Sequence, residues 1–142
     1  MSESTYDIVI LGAGSGGYAT ALRAAQLGMK VALIDGDKVG GTCLHRGCIP
    51  TKAYLHAAET AEAVRESAKF GVSSTFNGID MARVGKYRDS VISGLYKGLQ
   101  GLLKSRNVEV ISGWGRLADV NTIEVNGQRI TGRNIVLATG SY

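Results

Sequence analysis

The stretch GGTCLHRGCIP, residues 40–50, holds both cysteines of the chain, Cys43 and Cys48, five positions apart and bracketed by glycines. Two close thiols can staple a fold, share a metal ion, or cycle between disulfide and dithiol. A metal site could draw on Cys43, His45, Cys48 and His56, but C-x-H-x2-C-x7-H departs from the paired C-x2–4-C and H-x3–5-H of compact zinc sites. Two inert buried thiols fit poorly beside flanking glycines and Arg46. Redox cycling fits better. Five steps of continuous helix rise about 7.5 Å, beyond the limit of about 6.8 Å between disulfide Cα atoms, so a Cys43–Cys48 bond requires a distorted turn. Gly47 and Pro50 make such a turn plausible, and the helix entered at Pro50 would favour a Cys48 thiolate at its N-terminus.

The elements that must position this pair begin upstream. YDIVILGAG is a short apolar run rich in branched residues and closed by glycine, the pattern of a buried parallel strand. GYATALRAAQLG is an alanine-rich helix ending at Gly28, and KVALID is a second buried strand, which completes a βαβ unit. Gly12, Gly14 and Gly17 form G-x-G-x-x-G between the first strand and the helix. That pattern is weak alone and much stronger here. The first glycine allows the tight turn, the second lets backbone approach a pyrophosphate, and the third lets helix and strand pack closely. Asp35 ends the second strand 23 positions after Gly12, where an acid accepts hydrogen bonds from a ribose. A bound dinucleotide follows, and these residues alone do not say which one.

Downstream, two helices are expected, one from about Pro50 to Phe70 and one carrying Met81, Val84, Tyr87, Val91, Leu95, Leu99 and Leu102 at steps of three or four. That stripe predicts one buried face. Arg83, Lys86, Arg88, Lys97, Lys104 and Arg106 surround it and carry part of the net charge of +4. They read as a solvated helix face, and no interleaved aromatics support nucleic-acid binding. Residues 108–140 switch to a two-residue period, with Asn126-Gly127 as a hairpin turn and NIVLATG as a last apolar strand. The fold class expected is α/β: a Rossmann-like parallel sheet with a small antiparallel meander and two long helices. The run Ile8–Leu11 is too short for a signal core or a membrane span, which makes the cytoplasm the expected location. Thiols there are kept reduced unless they act, which again favours a working pair.

LGAGSGGY, GGTCLHRGCIPTKA and NIVLATGS follow one another in the order seen in the flavoprotein disulfide reductases. The details most resemble the dihydrolipoamide dehydrogenase family, in which C-L-x-x-G-C-I-P-[ST]-K-A is typical; the glutathione and mercuric reductases resemble C-V-N-V-G-C-V-P. The resemblance implies FAD as cofactor, its pyrophosphate on Gly12, Gly14 and Gly17 and its adenosine ribose on Asp35. Residues 35–43, including Gly41, Thr42 and Cys43, would line the rest, with Lys52, Gly115, Thr139, Gly140 and Ser141. Cys43 would be the interchange thiol that meets the lipoyl disulfide, and Cys48 the charge-transfer thiol against the isoalloxazine. Lys52 would stabilise the reduced, anionic ring. Electrons would pass from dihydrolipoamide to the disulfide, to FAD and to NAD+. The implied partners are the lipoyl domain of a 2-oxo acid dehydrogenase complex and, at full length, a second subunit in a homodimer.

His45 and Arg46 stand where Asn and Val are commoner, and Thr51 replaces a frequent Ser. The family's base is a histidine near the C-terminus of a much longer chain, which neither His45 nor His56 matches, so both are assigned to local structure. The 142 residues therefore resemble an N-terminal, incomplete FAD-binding domain without the NAD-binding and dimerisation domains. Such a piece is expected to be inactive alone, to retain FAD weakly and to self-associate. The competing readings are a stand-alone dinucleotide-binding module with a redox-sensing cysteine pair, and another disulfide reductase of the same family.

Overall fold

The computed structural model describes residues 5–141. Strands β1 (Thr5–Leu11), β2 (Val31–Asp35) and β3 (Glu109–Ser112) are joined by helix α1 (Ser15–Gln26) and by a helical excursion between β2 and β3. That excursion holds α2 (Gly41–His45), α3 (Cys48–Glu66) with a 3-10 turn at Ser67–Phe70, and α4 (Met81–Ser105). The chain then forms β4 (Arg116–Asp119), β5 (Thr122–Val125) and β6 (Gln128–Leu137). All six strands share one sheet in the order β3-β2-β1-β6-β5-β4. The expected α/β class, with parallel strands and an antiparallel meander, is what the chain adopts.

Both faces of β1 and β2 are covered, which is why their sequences do not alternate, whereas the edge strand β3 is largely exposed. Ile8, Ile10, Val31 and Leu33 pack with Ala21, Ala24 and Leu103 of α1 and α4. Val9, Ala32 and Ile34 pack on the other face with Ile123, Val125 and Ile130 of the meander. The hairpin and the last strand, separate in the sequence reading, merge. Residues 128–131 of β6 pair antiparallel with β5, and the register Thr131–Leu137 runs parallel to β1. Asn126 and Gly127 turn with φ of 51° and 73°, as a two-residue hairpin of this hand requires.

Two expectations need correction. The first long helix starts two residues before Pro50 and ends at Glu66, because residues 67–70 tighten into 3-10 geometry. The apolar stripe of α4 is not a buried face: Met81, Tyr87, Leu95 and Leu102 are exposed, Val84, Val91 and Leu99 half-buried, and Leu103 is the buried residue of the helix. Only the C-terminal part of α4 meets the sheet. The periodicity was real, but α3 and the sheet cover the face only in part, leaving Met81, Tyr87, Leu95 and Leu102 exposed. No helix among them is long and apolar enough to cross a membrane.

Candidate functional site: a dinucleotide cleft beside a disulfide

At the carboxyl ends of β1, β2 and β6 the chain leaves the sheet through glycines. Gly12 has φ of 101°, and a Cβ there would fall on the carbonyl oxygen of Ala138, just past β6. A Cβ on Gly17 would fall on the Gly12 carbonyl oxygen, so α1 approaches β1 as closely as backbone allows. Gly14 has a different role. A Cβ there would meet nothing nearer than the Gly41 Cα at 4.0 Å, and Gly14 lines an open cleft. Gly14 is also the N-cap of α1, which has no side-chain cap and no acid in its first turn, leaving its N–H donors and positive dipole end to a ligand.

The cleft has a volume of about 610 Å³. Its walls bring together Gly12, Gly14, Asp35, Gly41, Thr42, Gly115, Thr139, Gly140 and Ser141, nine of the residues expected at a cofactor site. This is the crevice outside the carboxyl ends of parallel strands where ligands of open α/β sheets bind. A narrow backbone floor, a bare helix N-terminus and an acid at the end of β2 fit a dinucleotide.

Asp35 does more than the sequence suggested. Its Oδ2 accepts from the Ala13 N–H and its Oδ1 from the Asp37 N–H at 2.8 Å. The carboxylate thus ties the glycine loop to the turn after β2, and only its remaining lone pairs are left for a ligand.

Gly17, Cys43, Cys48 and Lys52 do not line the cleft. Gly17 sets the helix–strand distance from behind. Cys43 and Cys48 are bonded to each other with Cα atoms 4.6 Å apart, well inside the rise of a continuous helix. The distortion anticipated between them is a complete break: α2 stops at His45, Arg46 and Gly47 both donate to the Thr42 carbonyl, and α3 restarts at Cys48. The pair adjoins the cleft because α2 begins with Gly41 and Thr42 in its wall. Exposure does not rank the thiols by the roles the resemblance implies, since Cys43 is half-buried and Cys48 exposed. Lys52 is exposed on the next turn of α3.

His45 serves local structure as expected. Its Nε2 lies 3.0 Å from the Val39 carbonyl oxygen, and its ring meets Tyr96 edge-on at 5.1 Å. It also lines the cleft, as do Arg46 and Trp114, none of which the motif reading placed there. Arg46 reaches across to Asp37 at 2.7 Å. The signals for these residues are tertiary, except that Arg46 and His45 sit inside the cysteine motif itself.

Residues 6–142 match the family model of the pyridine nucleotide-disulphide oxidoreductases. The chain belongs to that family. It is 44% identical over 137 residues to a dihydrolipoyl dehydrogenase of Thermus scotoductus, covering 96% of this chain and 30% of that protein. A dihydrolipoyl dehydrogenase of Acholeplasma laidlawii is 42% identical over 96% of this chain and 41% of its own length. One from Bacillus subtilis is 40% identical over 96% of this chain and 31% of its own. The chain thus spans between about a third and two-fifths of the length of these relatives.

Proposed function

We propose that these residues form the FAD-binding and disulfide-bearing part of a dihydrolipoamide dehydrogenase, which oxidises dihydrolipoamide to lipoamide and passes the electrons to NAD+. The observation that carries the reading is the junction of two devices: a dinucleotide cleft whose wall continues, through Gly41 and Thr42, into the helix bearing the Cys43–Cys48 disulfide. The relatives named above support the substrate class.

Gly12, Gly14 and the N-terminus of α1 would hold the FAD pyrophosphate, Asp35 its ribose, and Gly115 with Thr139, Gly140 and Ser141 the opposite wall. Bound FAD supplies a two-electron relay between a dithiol and a nicotinamide. A role for Lys52 near the ring rests on the resemblance alone.

The protein's own sulfurs do the exchange. A dihydrolipoamide thiolate attacks Cys43 Sγ, the Cys43–Cys48 bond breaks, and Cys48 leaves as thiolate. The second substrate thiolate then displaces Cys43, giving lipoamide and a reduced pair; two electrons move to the cysteines and the substrate's two protons go to a base. Helix geometry supports this polarity. Cys48 is the first residue of the 19-residue α3, whose N-terminus favours its thiolate and so makes it the better leaving group, whereas α2 has five residues. Attack then falls on Cys43. The base, the NAD site and a dimer partner would come from parts of the protein beyond these residues, and a lipoyl domain in the cytoplasm would deliver the substrate.

Equilibrium dialysis against FAD tests the cleft: uptake should saturate with the native chain and fail with Gly14→Val, whose side chain occupies the opening. Thiol titration tests the pair, since dihydrolipoamide should expose two thiols per chain. A disulfide that dithiothreitol reduces and dihydrolipoamide does not would remove the substrate assignment.

A further inference from the structure

Trp114 is the one tryptophan of the chain and is 73% exposed, although it stands among glycines on the wall of the cleft. It is held there in two ways. The Gly113 N–H donates to the Asp35 carbonyl at 2.8 Å, which fixes the turn after β3 against the end of β2. The indole lies over Gly36, where a Cβ would come within 2.6 and 2.7 Å of its Cε2 and Cε3 atoms. A large ring braced on one side by backbone and open on the other is a stacking platform rather than a core residue.

Position says what it stacks. In a cleft of this type the acid at the end of β2 takes the adenosine ribose, and in the function proposed above the disulfide stands at the flavin end. Trp114 stands over the residue next to Asp35, where the base attached to that ribose must lie. His45, the other ring in the wall, is held by the Val39 carbonyl and Tyr96. We propose that Trp114 is the aromatic wall on which the adenine of the bound dinucleotide stacks, so that it sets affinity for the adenosine half. The inference rests on the dinucleotide reading of the cleft.

The test uses the emission of Trp114 with ADP, which lacks a flavin that could accept energy from the indole. ADP should quench that emission saturably. Trp114→Ala should weaken FAD uptake in dialysis about tenfold or more, and Trp114→Phe should restore most of the loss. Circular dichroism confirms that both variants are folded, as expected for a side chain this exposed. If FAD binds while ADP leaves the emission unchanged and Trp114→Ala binds as well as the native chain, the stacking role is wrong and the cleft reading stands. If neither FAD nor ADP binds the native chain, the cleft reading fails and the stacking role with it.

Discussion

Adjacent glycines in α1 allow a test of how closely this fold packs its glycine loop. Gly16→Ala and Gly17→Ala make the same chemical change, one residue apart, in the same helical turn. Each gains up to about 1 kcal/mol from the better helix former and the stiffer unfolded chain. At exposed Gly16 that gain stands, because the new Cβ meets only the Ala138 Cβ at 4.0 Å. At buried Gly17 the Cβ falls on the Gly12 carbonyl oxygen and lies 2.8 Å from its carbon. That carbonyl cannot rotate away freely, since the Ala13 N–H of the same peptide group is bound to the Asp35 carboxylate. Overpacking costs about 1–3 kcal/mol, and a backbone partner places this case at the upper end. The variants should therefore differ by about 3 kcal/mol, with Gly16→Ala slightly above the native chain and Gly17→Ala about 2 kcal/mol below it. Urea titration followed by circular dichroism, with equal slopes, measures the difference directly. FAD dialysis should show the same order, because only Gly17→Ala pushes the α1 N-terminus away from its ligand. Equal midpoints within about 0.5 kcal/mol would refute the close approach on which the cleft geometry depends.

Asp35→Ala should lower stability by about 1–2 kcal/mol in the same titration even without ligand, since two backbone N–H groups lose their acceptor. An unchanged midpoint would mean that the carboxylate serves the ligand alone. Arg46→Ala should cost under about 1 kcal/mol and become neutral at high salt, because its pair with Asp37 is 69% and 53% exposed. A larger, salt-independent loss would show that the pair braces α2 rather than decorating it.

Much of the site was legible because its causes are local. Gly12, Gly14 and Gly17 lie within six residues, and the strand before them is apolar on both faces, so loop, helix and strand announce one another. Asn126-Gly127 fixed its hairpin for the same reason. The bond between Cys43 and Cys48 was harder, because spacing says only that a straight helix cannot make it. Two short-range donations to the Thr42 carbonyl create the break, and a five-residue helix starting at a glycine leaves little periodic signal.

What sequence could not show is which surface answers an apolar pattern. Periodicity in α4 states that one face prefers to leave water; it does not say where the cover comes from. Leu103 finds it against β1, β2 and α1, while Leu95 and Leu102 remain 47% and 43% exposed on the same helix. Trp114 shows the same limit at the site. Nothing in its neighbours' spacing marks it, because its position depends on the Asp35 carbonyl at the end of β2 and on Gly36 just after it, both far upstream. Motifs locate the parts of a cleft that one segment can build, and contacts between segments decide what else faces the ligand. Trp114, braced on Gly36, and Arg46, paired with Asp37, belong to that second class.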